Sequence, residues 1–214
     1  MMKSFLKPLF SLCIVWPVIR LWLGLRVYNQ QNLPRQGPAI IVANHNSHMD
    51  VFALMSLYST RQQNYIRPVA AADYFLSNKW MRWFSLNILN IIPVNRKNSG
   101  QSNPLSGCEE ALRQNKILIL FPEGSRGEPG KMQPLKSGLW HLTASMPDVP
   151  IIPVWLQGTE HILAKGNRIP LPLFIDASIG TPMYYQPDKQ QFKATLLKNL
   201  LALRPQYLKE ESDE

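Results

Sequence analysis

Residues 38–50 read PAIIVANHNSHMD, a short apolar run followed at once by two histidines and an aspartate. The run is rich in branched side chains and bounded by Pro38 and Asn44, as a strand buried on both faces should be. The segment after it admits three readings. Ser47-x-x-Asp50 ahead of the apolar stretch 51–57 matches a capping box, with Ser47 closing a helix start and Asp50 reaching back to its amide. His45, His48 and Asp50 would be the ligands of a metal reading, although zinc on a helix takes histidines four apart and these are three apart. The third reading pairs His45 with Asp50 as a base and its orienting acid. On one continuous helix five residues advance about 500°, which leaves the two side chains roughly 140° apart. They meet only if His45 stands in the turn before the helix and Asp50 in its first turn, and a Ser47 cap builds that arrangement. An aspartate accepting one ring N–H fixes the tautomer and leaves the other nitrogen as a general base near neutral pH.

Further apolar runs of the same kind occupy 65–71, 90–94, 116–122, 149–155 and 171–179. Helix-like stretches lie between them at 51–60, 74–88, 105–115, 136–146 and 190–203. Strand alternating with helix predicts a single α/β domain over 29–214, a mainly parallel sheet flanked by helices. Ligands of such sheets bind beyond the carboxyl ends of the strands. The histidine stretch falls there, and so does a second turn, FPEGSRG (121–127), where proline and glycine flank Glu123 and Arg126 follows three residues later. An ordinary ion pair on a loop is the plain reading of that turn taken alone. KEESDE (209–214) reads as a solvated tail.

The chain has 214 residues, room for one domain with a substantial core. Lys and Arg number 23 against 14 Asp and Glu, a net charge of +9, so an anionic partner is expected: a membrane surface, phosphate-bearing substrates or nucleic acid. Basic and aromatic residues are not interleaved in any recognisable nucleic-acid module. Cys13 and Cys108 lack metal-ligand spacing and are too few for a disulfide framework, so a reducing compartment is expected. Residues 1–28 stand apart. Lys3 and Lys7 precede LFSLCIVWPVIRLWLGL (9–25), and Arg26 follows it. A bilayer span takes about 20 apolar residues; this run is slightly short, contains Pro17 and Arg20, and ends in a poor signal-cleavage site. It is expected to be an N-terminal membrane-associating helix lying in the interface, with Trp16, Trp22 and Tyr28 at headgroup level. A buried core helix is the alternative. LSNKWMRWFSL (76–86), with Trp80, Trp83 and Phe84, is open to the same two readings, a second membrane-facing surface or core packing.

NHxxxxD (44–50) followed by FPEGSR (121–126), both at strand exits, resembles the glycerolipid acyltransferase family typified by 1-acyl-sn-glycerol-3-phosphate acyltransferase. IPVNR (92–96), QPLKSG (133–138) and VPIIPV (149–154) resemble further blocks of that family in the same order, so the likeness runs from about residue 38 to 158. It implies His45 as the base and Asp50 as its partner. Glu123 and Arg126 are implied as an acceptor-binding pair in a turn with Gly124 and Ser125, and Arg96 and Lys136 as phosphate contacts. Gly124, lacking a Cβ, would let the chain turn close to substrate. Ser125, Leu135 and Asn90 depart from the residues usual in the family, which bears on the acceptor. The implied activity is transfer of a fatty acyl group from acyl-CoA or acyl-ACP to the free hydroxyl of 1-acyl-sn-glycerol-3-phosphate, a step of phospholipid biosynthesis, with no cofactor and no metal. Other acceptors (glycerol 3-phosphate, a lyso-ornithine lipid, another lysophospholipid) and a non-catalytic lipid-binding homologue are the alternatives. The expected partners are the lysophospholipid, the acyl thioester, acyl carrier protein and a membrane surface, with no nucleic acid, at the cytoplasmic face of the inner or plasma membrane.

Overall fold

The Ile- and Val-rich runs lie side by side in one sheet. The computed structural model describes residues 2–75, 78–95, 103–127, 132–159 and 174–205. Among these, seven strands are present: β1 (Leu25–Tyr28), β2 (Ala39–Ala43), β3 (Ile66–Ala71), β4 (Ile92–Val94), β5 (Ile117–Leu120), β6 (Ile151–Gln157) and β7 (Ile175–Ile179). Their order is β1-β7-β6-β2-β5-β3-β4. Strands β6, β2, β5, β3 and β4 are parallel, β7 is antiparallel to β6, and β1 is parallel to β7. The sheet is thus mainly parallel with one reversed pair at an edge, and helices cover it. The sequence reading closed the N-terminal segment at residue 28. Its last four residues belong to the sheet, with Leu25–Tyr28 in register with Ile175–Ser178.

Within each apolar run, side chains alternate between two cores, since successive strand residues point to opposite faces. Ile41, Ile119 and Val154 pack on one face with Val15, Ile19 and the α2 (Met49–Ser56) residues Ala53 and Leu54. Ile40, Val42, Leu118 and Trp155 pack on the other. There they meet Cys108 and Leu112 of α5 (Ser106–Arg113), Leu142 of α6 (Gly138–Ala144), and Phe192, Leu196 and Leu200 of α7 (Lys189–Ala202). Complete burial of each such side chain stabilises the fold by roughly 1.5–3 kcal/mol. Two short helices, α3 (Ala72–Phe75) and α4 (Lys79–Asn87), lie in the connection from β3 to β4, and the Asn78 side chain caps α4 by accepting from the Met81 amide.

The N-terminal helix starts as α1 (Met2–Phe10) and continues through two widened segments, Ser11–Val15 and Pro17–Trp22. Its buried residues are Lys7, Ser11, Val15, Ile19 and Leu23, every fourth position. That spacing drifts by about 40° per step around an α-helix of 3.6 residues per turn. Wider turns take up the drift and keep the stripe on one side. Lys7 and Ser11 turn polar groups toward the protein in the same stripe as the apolar Val15, Ile19 and Leu23, while large apolar side chains stand on the outer side. Lys7 is fully buried, its Nζ donating to the carbonyls of Ile66 (2.5 Å) and Leu89 (2.9 Å). Burial, with Arg67 adding to it, holds this amine well below the ordinary lysine range. Arg20 donates to the Ser56 carbonyl and the Trp16 indole to that of Tyr58. Phe5, Leu9, Leu12, Ile14, Leu21 and Trp22 stand exposed, Leu21 at 84%.

Candidate active site

β2 and β5 are neighbours and parallel, so the turns leaving their carboxyl ends meet. The first carries His45 and the second Glu123. Asn44 continues β2 by one residue in a different chemistry: its side-chain amide accepts from the Leu156 N–H (2.8 Å) and donates to the Leu156 carbonyl (2.9 Å). In effect it pairs with β6 as a backbone residue would, and so holds the point from which His45 departs.

Asp50 lies in the first turn of α2, where the positive end of the helix favours a carboxylate. Its Oδ2 accepts from His45 Nδ1 (2.9 Å), the Asn46 amide (2.8 Å) and the Ser47 amide (2.9 Å). The expected capping box is only half formed: Asp50 reaches back to the Ser47 amide, but the helix is capped at His48 with no side-chain bond there, the Asp50 amide bonds the Ser47 carbonyl, and Ser47 Oγ accepts from Met49 N (3.2 Å). One carboxylate oxygen thus serves both the turn before α2 and the imidazole. The Asp50 side chain is 1% exposed and that of His45 17%. A carboxylate at Nδ1 sets the tautomer with Nδ1 protonated and leaves Nε2 with the lone pair. The ring lies flat against Phe121, centroids 4.0 Å apart at 17°. Among the described residues no three His, Cys, Asp or Glu side chains converge as a metal site would require.

The second turn holds the first. Glu123 is 1% exposed; its Oε1 accepts from the His45 amide (2.9 Å) and its Oε2 from the Gln133 amide (2.6 Å). Burial raises its pKa from the ordinary carboxylate value, and these two N–H groups pull it the other way. Gly127 N donates to the His45 carbonyl (2.9 Å) and Lys136 N to that of Pro122 (2.8 Å). Gly124 has φ 74°, and a Cβ there would come 3.3 Å from Lys136 Cγ. The space beside Gly124 is thus taken by the lysine stem.

Ser125, Arg126 and Lys136 are exposed at the mouth of the site. The resemblance joins Glu123 to Arg126, yet in the fold the carboxylate turns inward and the guanidinium outward, and among the described residues no ion pair links them. Arg126 instead acts on His48, whose imidazole is held below its ordinary value, first by partial burial and then by the Arg126 and His45 charges. β4 ends at Val94 on the same edge of the sheet, two residues before Arg96, which lies outside the described residues, as does Lys97. Sequence reasoning assigned no role to Asn44, Phe121 or the Gln133 amide. Each belongs to a quoted motif, but its contribution needs a partner distant in the chain.

An imidazole held by a buried carboxylate at the exit of one strand has cationic side chains on the neighbouring turn. The family model described as Acyltransferase matches residues 24–157 of this chain. The chain belongs to the acyltransferase family. It is 30% identical over 179 residues to the 1-acyl-sn-glycerol-3-phosphate acyltransferase of Bacillus subtilis (strain 168), covering 80% of this acyltransferase and 82% of that protein. The chloroplastic 1-acyl-sn-glycerol-3-phosphate acyltransferase BAT2 of Brassica napus is 25% identical over 166 residues, 71% of this chain and 44% of its own length. The 1-acyl-sn-glycerol-3-phosphate acyltransferase alpha of Mus musculus is 28% identical over 149 residues, 68% and 50% of the two chains. The acyltransferase chain thus spans about half the length of several curated relatives it matches. Its fold is shared with the crystal structure of the 1-acyl-sn-glycerophosphate (LPA) acyltransferase PlsC from Thermotoga maritima, at a TM-score of 0.70 and 20% identity, over 100% of this chain and 87% of that one.

Proposed function

We propose that this chain transfers a fatty acyl group from acyl-CoA or acyl-ACP to the free hydroxyl of 1-acyl-sn-glycerol-3-phosphate, forming phosphatidic acid. The observation that carries the reading is the 2.9 Å bond between His45 Nδ1 and a buried Asp50. Nε2 takes the hydroxyl proton as the acceptor oxygen attacks the thioester carbonyl. The tetrahedral intermediate collapses with loss of the thiolate, which receives the proton back from the imidazolium, and Asp50 stabilises the charged ring while it lasts. The reaction needs no enzyme nucleophile, metal or cofactor. Arg126, with Ser125, Lys136 and Arg96, binds the acceptor phosphate, arginine being suited to bidentate contact with it. The acceptor itself is supported by the similarity to the 1-acyl-sn-glycerol-3-phosphate acyltransferases of Bacillus subtilis and Mus musculus.

The acceptor's acyl chain sits in a bilayer, and two surfaces support membrane association. One is the apolar outer side of the N-terminal helix. The other is α4, where Trp80 (85% exposed) and Trp83 stand beside exposed Lys79 and Arg82 with no acidic residue in the helix. Apolar and aromatic side chains flanked by cations suit an interface rich in anionic headgroups. Phe10 and Phe84 meet edge to face at 5.3 Å and join the two surfaces. The cytoplasmic face follows from the donors, since charged acyl carriers do not cross a bilayer.

Purified protein in detergent, given labelled 1-acyl-sn-glycerol-3-phosphate and a panel of acyl-CoA and acyl-ACP donors, tests the reading. Wild type forms phosphatidic acid, and His45→Ala lowers turnover by about 1000-fold or more while the fold persists, in keeping with the loss of a general base. Comparable turnover by a well-folded His45→Ala protein excludes His45 as the base. Absence of product with every donor removes the acceptor assignment.

A further inference from the structure

We infer that Glu123 is a positioning residue for His45: its buried carboxylate clamps the backbone of the base to the loop at Gln133, and it does not touch the acceptor. The inference rests on the reading of His45 as the base. A carboxylate that binds an acceptor must face the space the acceptor enters, and Glu123 does not. It is 1% exposed, and each oxygen accepts a backbone N–H, from His45 at 2.9 Å and from Gln133 at 2.6 Å. Amide donors to an ionised carboxylate make short, strong bonds. Charge supports the same conclusion, since a carboxylate set against a phosphomonoester repels it, whereas the outward-facing groups of this turn are the Arg126 guanidinium and the Ser125 hydroxyl.

The clamp is one part of a larger grip. The turn that carries Glu123 also donates Gly127 N to the His45 carbonyl at 2.9 Å and lays Phe121 against the imidazole at 4.0 Å. Both polar groups of the His45 main chain are therefore tied to a single turn, and its ring is tied to Asp50 at 2.9 Å. Release of the amide lets the peptide plane rotate, and the Cα–Cβ bond that aims the imidazole rotates with it. A displacement of about 1 Å at a reacting group can cost on the order of a hundredfold in rate.

Steady-state kinetics in mixed micelles, with acceptor varied at saturating donor, separate the two roles. Glu123→Gln keeps the volume of the side chain but sets an NH2 donor against one of the two amides, so one clamp point is lost. The expected result is a fall in kcat of about a hundredfold with acceptor KM within about twofold, as for an interaction that orients the reacting group. Arg126→Ala is expected to do the reverse, raising acceptor KM with kcat largely kept. A Glu123→Gln protein that keeps its kcat and raises acceptor KM overturns the inference.

Wild type can also be read directly, which covers the case of a variant that does not fold. The backbone amides of His45 and Gln133 should resonate downfield, resist hydrogen exchange and shift together with the titration of one carboxyl group. Amides exchanging at the rate of an open loop overturn the clamp. A wild type without turnover counts against the transfer reading alone, because the amide measurement does not depend on activity.

Discussion

Asp50 Oδ2 receives three donors at once, from the His45 ring and the Asn46 and Ser47 amides. The same oxygen that holds the His45 ring also closes the turn leading into α2, so loss of the carboxylate disturbs the local fold and the imidazole together. At this scale the sequence was legible where partners are close in the chain. His45 and Asp50 are five apart, and helical geometry alone placed one in the turn and one in the helix. It was illegible where partners are distant: nothing within PEGSR tells that Glu123 turns toward His45 rather than toward Arg126. The exposed side of that turn carries its own prediction. Arg126 lowers the proton affinity of His48 through its charge. Arg126→Ala should therefore move the His48 imidazole upward, toward its ordinary value, as followed by NMR titration of the ring protons. An unmoved His48 would separate the two side chains. An anionic group docked on Arg126 should act in the same direction, so its binding at mildly acidic pH, below the ordinary histidine value, should be accompanied by proton uptake at His48.

Among the elements, the apolar runs at 38–43, 65–71, 90–94, 116–122 and 149–155 became strands within a few residues, as did the described part of 171–179, whose first three residues lie outside the described ones, because runs of branched side chains suit a sheet covered on both faces. β1 was missed for the complementary reason. It is an edge strand with alternate residues exposed, only four residues long, and it follows an apolar helix with Gly24 as the sole break. β7 was found as a strand, but its reversed direction depends on pairing with β6 and β1, which no local pattern records. The strand end at Asn44 yields a stability prediction. Asn44→Ala removes two buried hydrogen bonds and leaves the Leu156 N–H and C=O without their partner on that side. With orphaned buried groups costing roughly 1–3 kcal/mol each, a loss of about 2–6 kcal/mol in unfolding free energy is expected. Urea unfolding in detergent measures it. A change below about 0.5 kcal/mol would mean that β2 and β6 hold together without the side chain.

For the molecule as a whole, the charge of +9 and the two apolar surfaces act together. Composition indicated an anionic partner but not which one, since charge alone does not distinguish a lipid headgroup from a nucleic acid. The distribution is more telling: Lys79 and Arg82 lie beside exposed Trp80 and Trp83. Replacing both cations by alanine should weaken binding to vesicles containing anionic lipid by about tenfold or more and leave binding to neutral phosphatidylcholine vesicles nearly unchanged. The difference should shrink as salt is raised. Equal losses on both kinds of vesicle would assign α4 to packing and not to headgroup contact.

The N-terminal helix, apolar on its outer side, bears on how a detergent-free form of this protein would be made. Cutting the helix away is the obvious route for a hydrophobic leader, and here it removes the wrong thing. Truncation strips the Ile66 and Leu89 carbonyls of the Lys7 amine and lays open the core that Val15, Ile19 and Leu23 cover. Among the described residues of the helix, Phe5, Leu9, Leu12, Ile14 and Leu21 place large apolar side chains on its exposed side. Repainting those positions with glutamate, lysine and glutamine leaves the inner stripe whole. The helix can then be separated from its solvent without being separated from its protein.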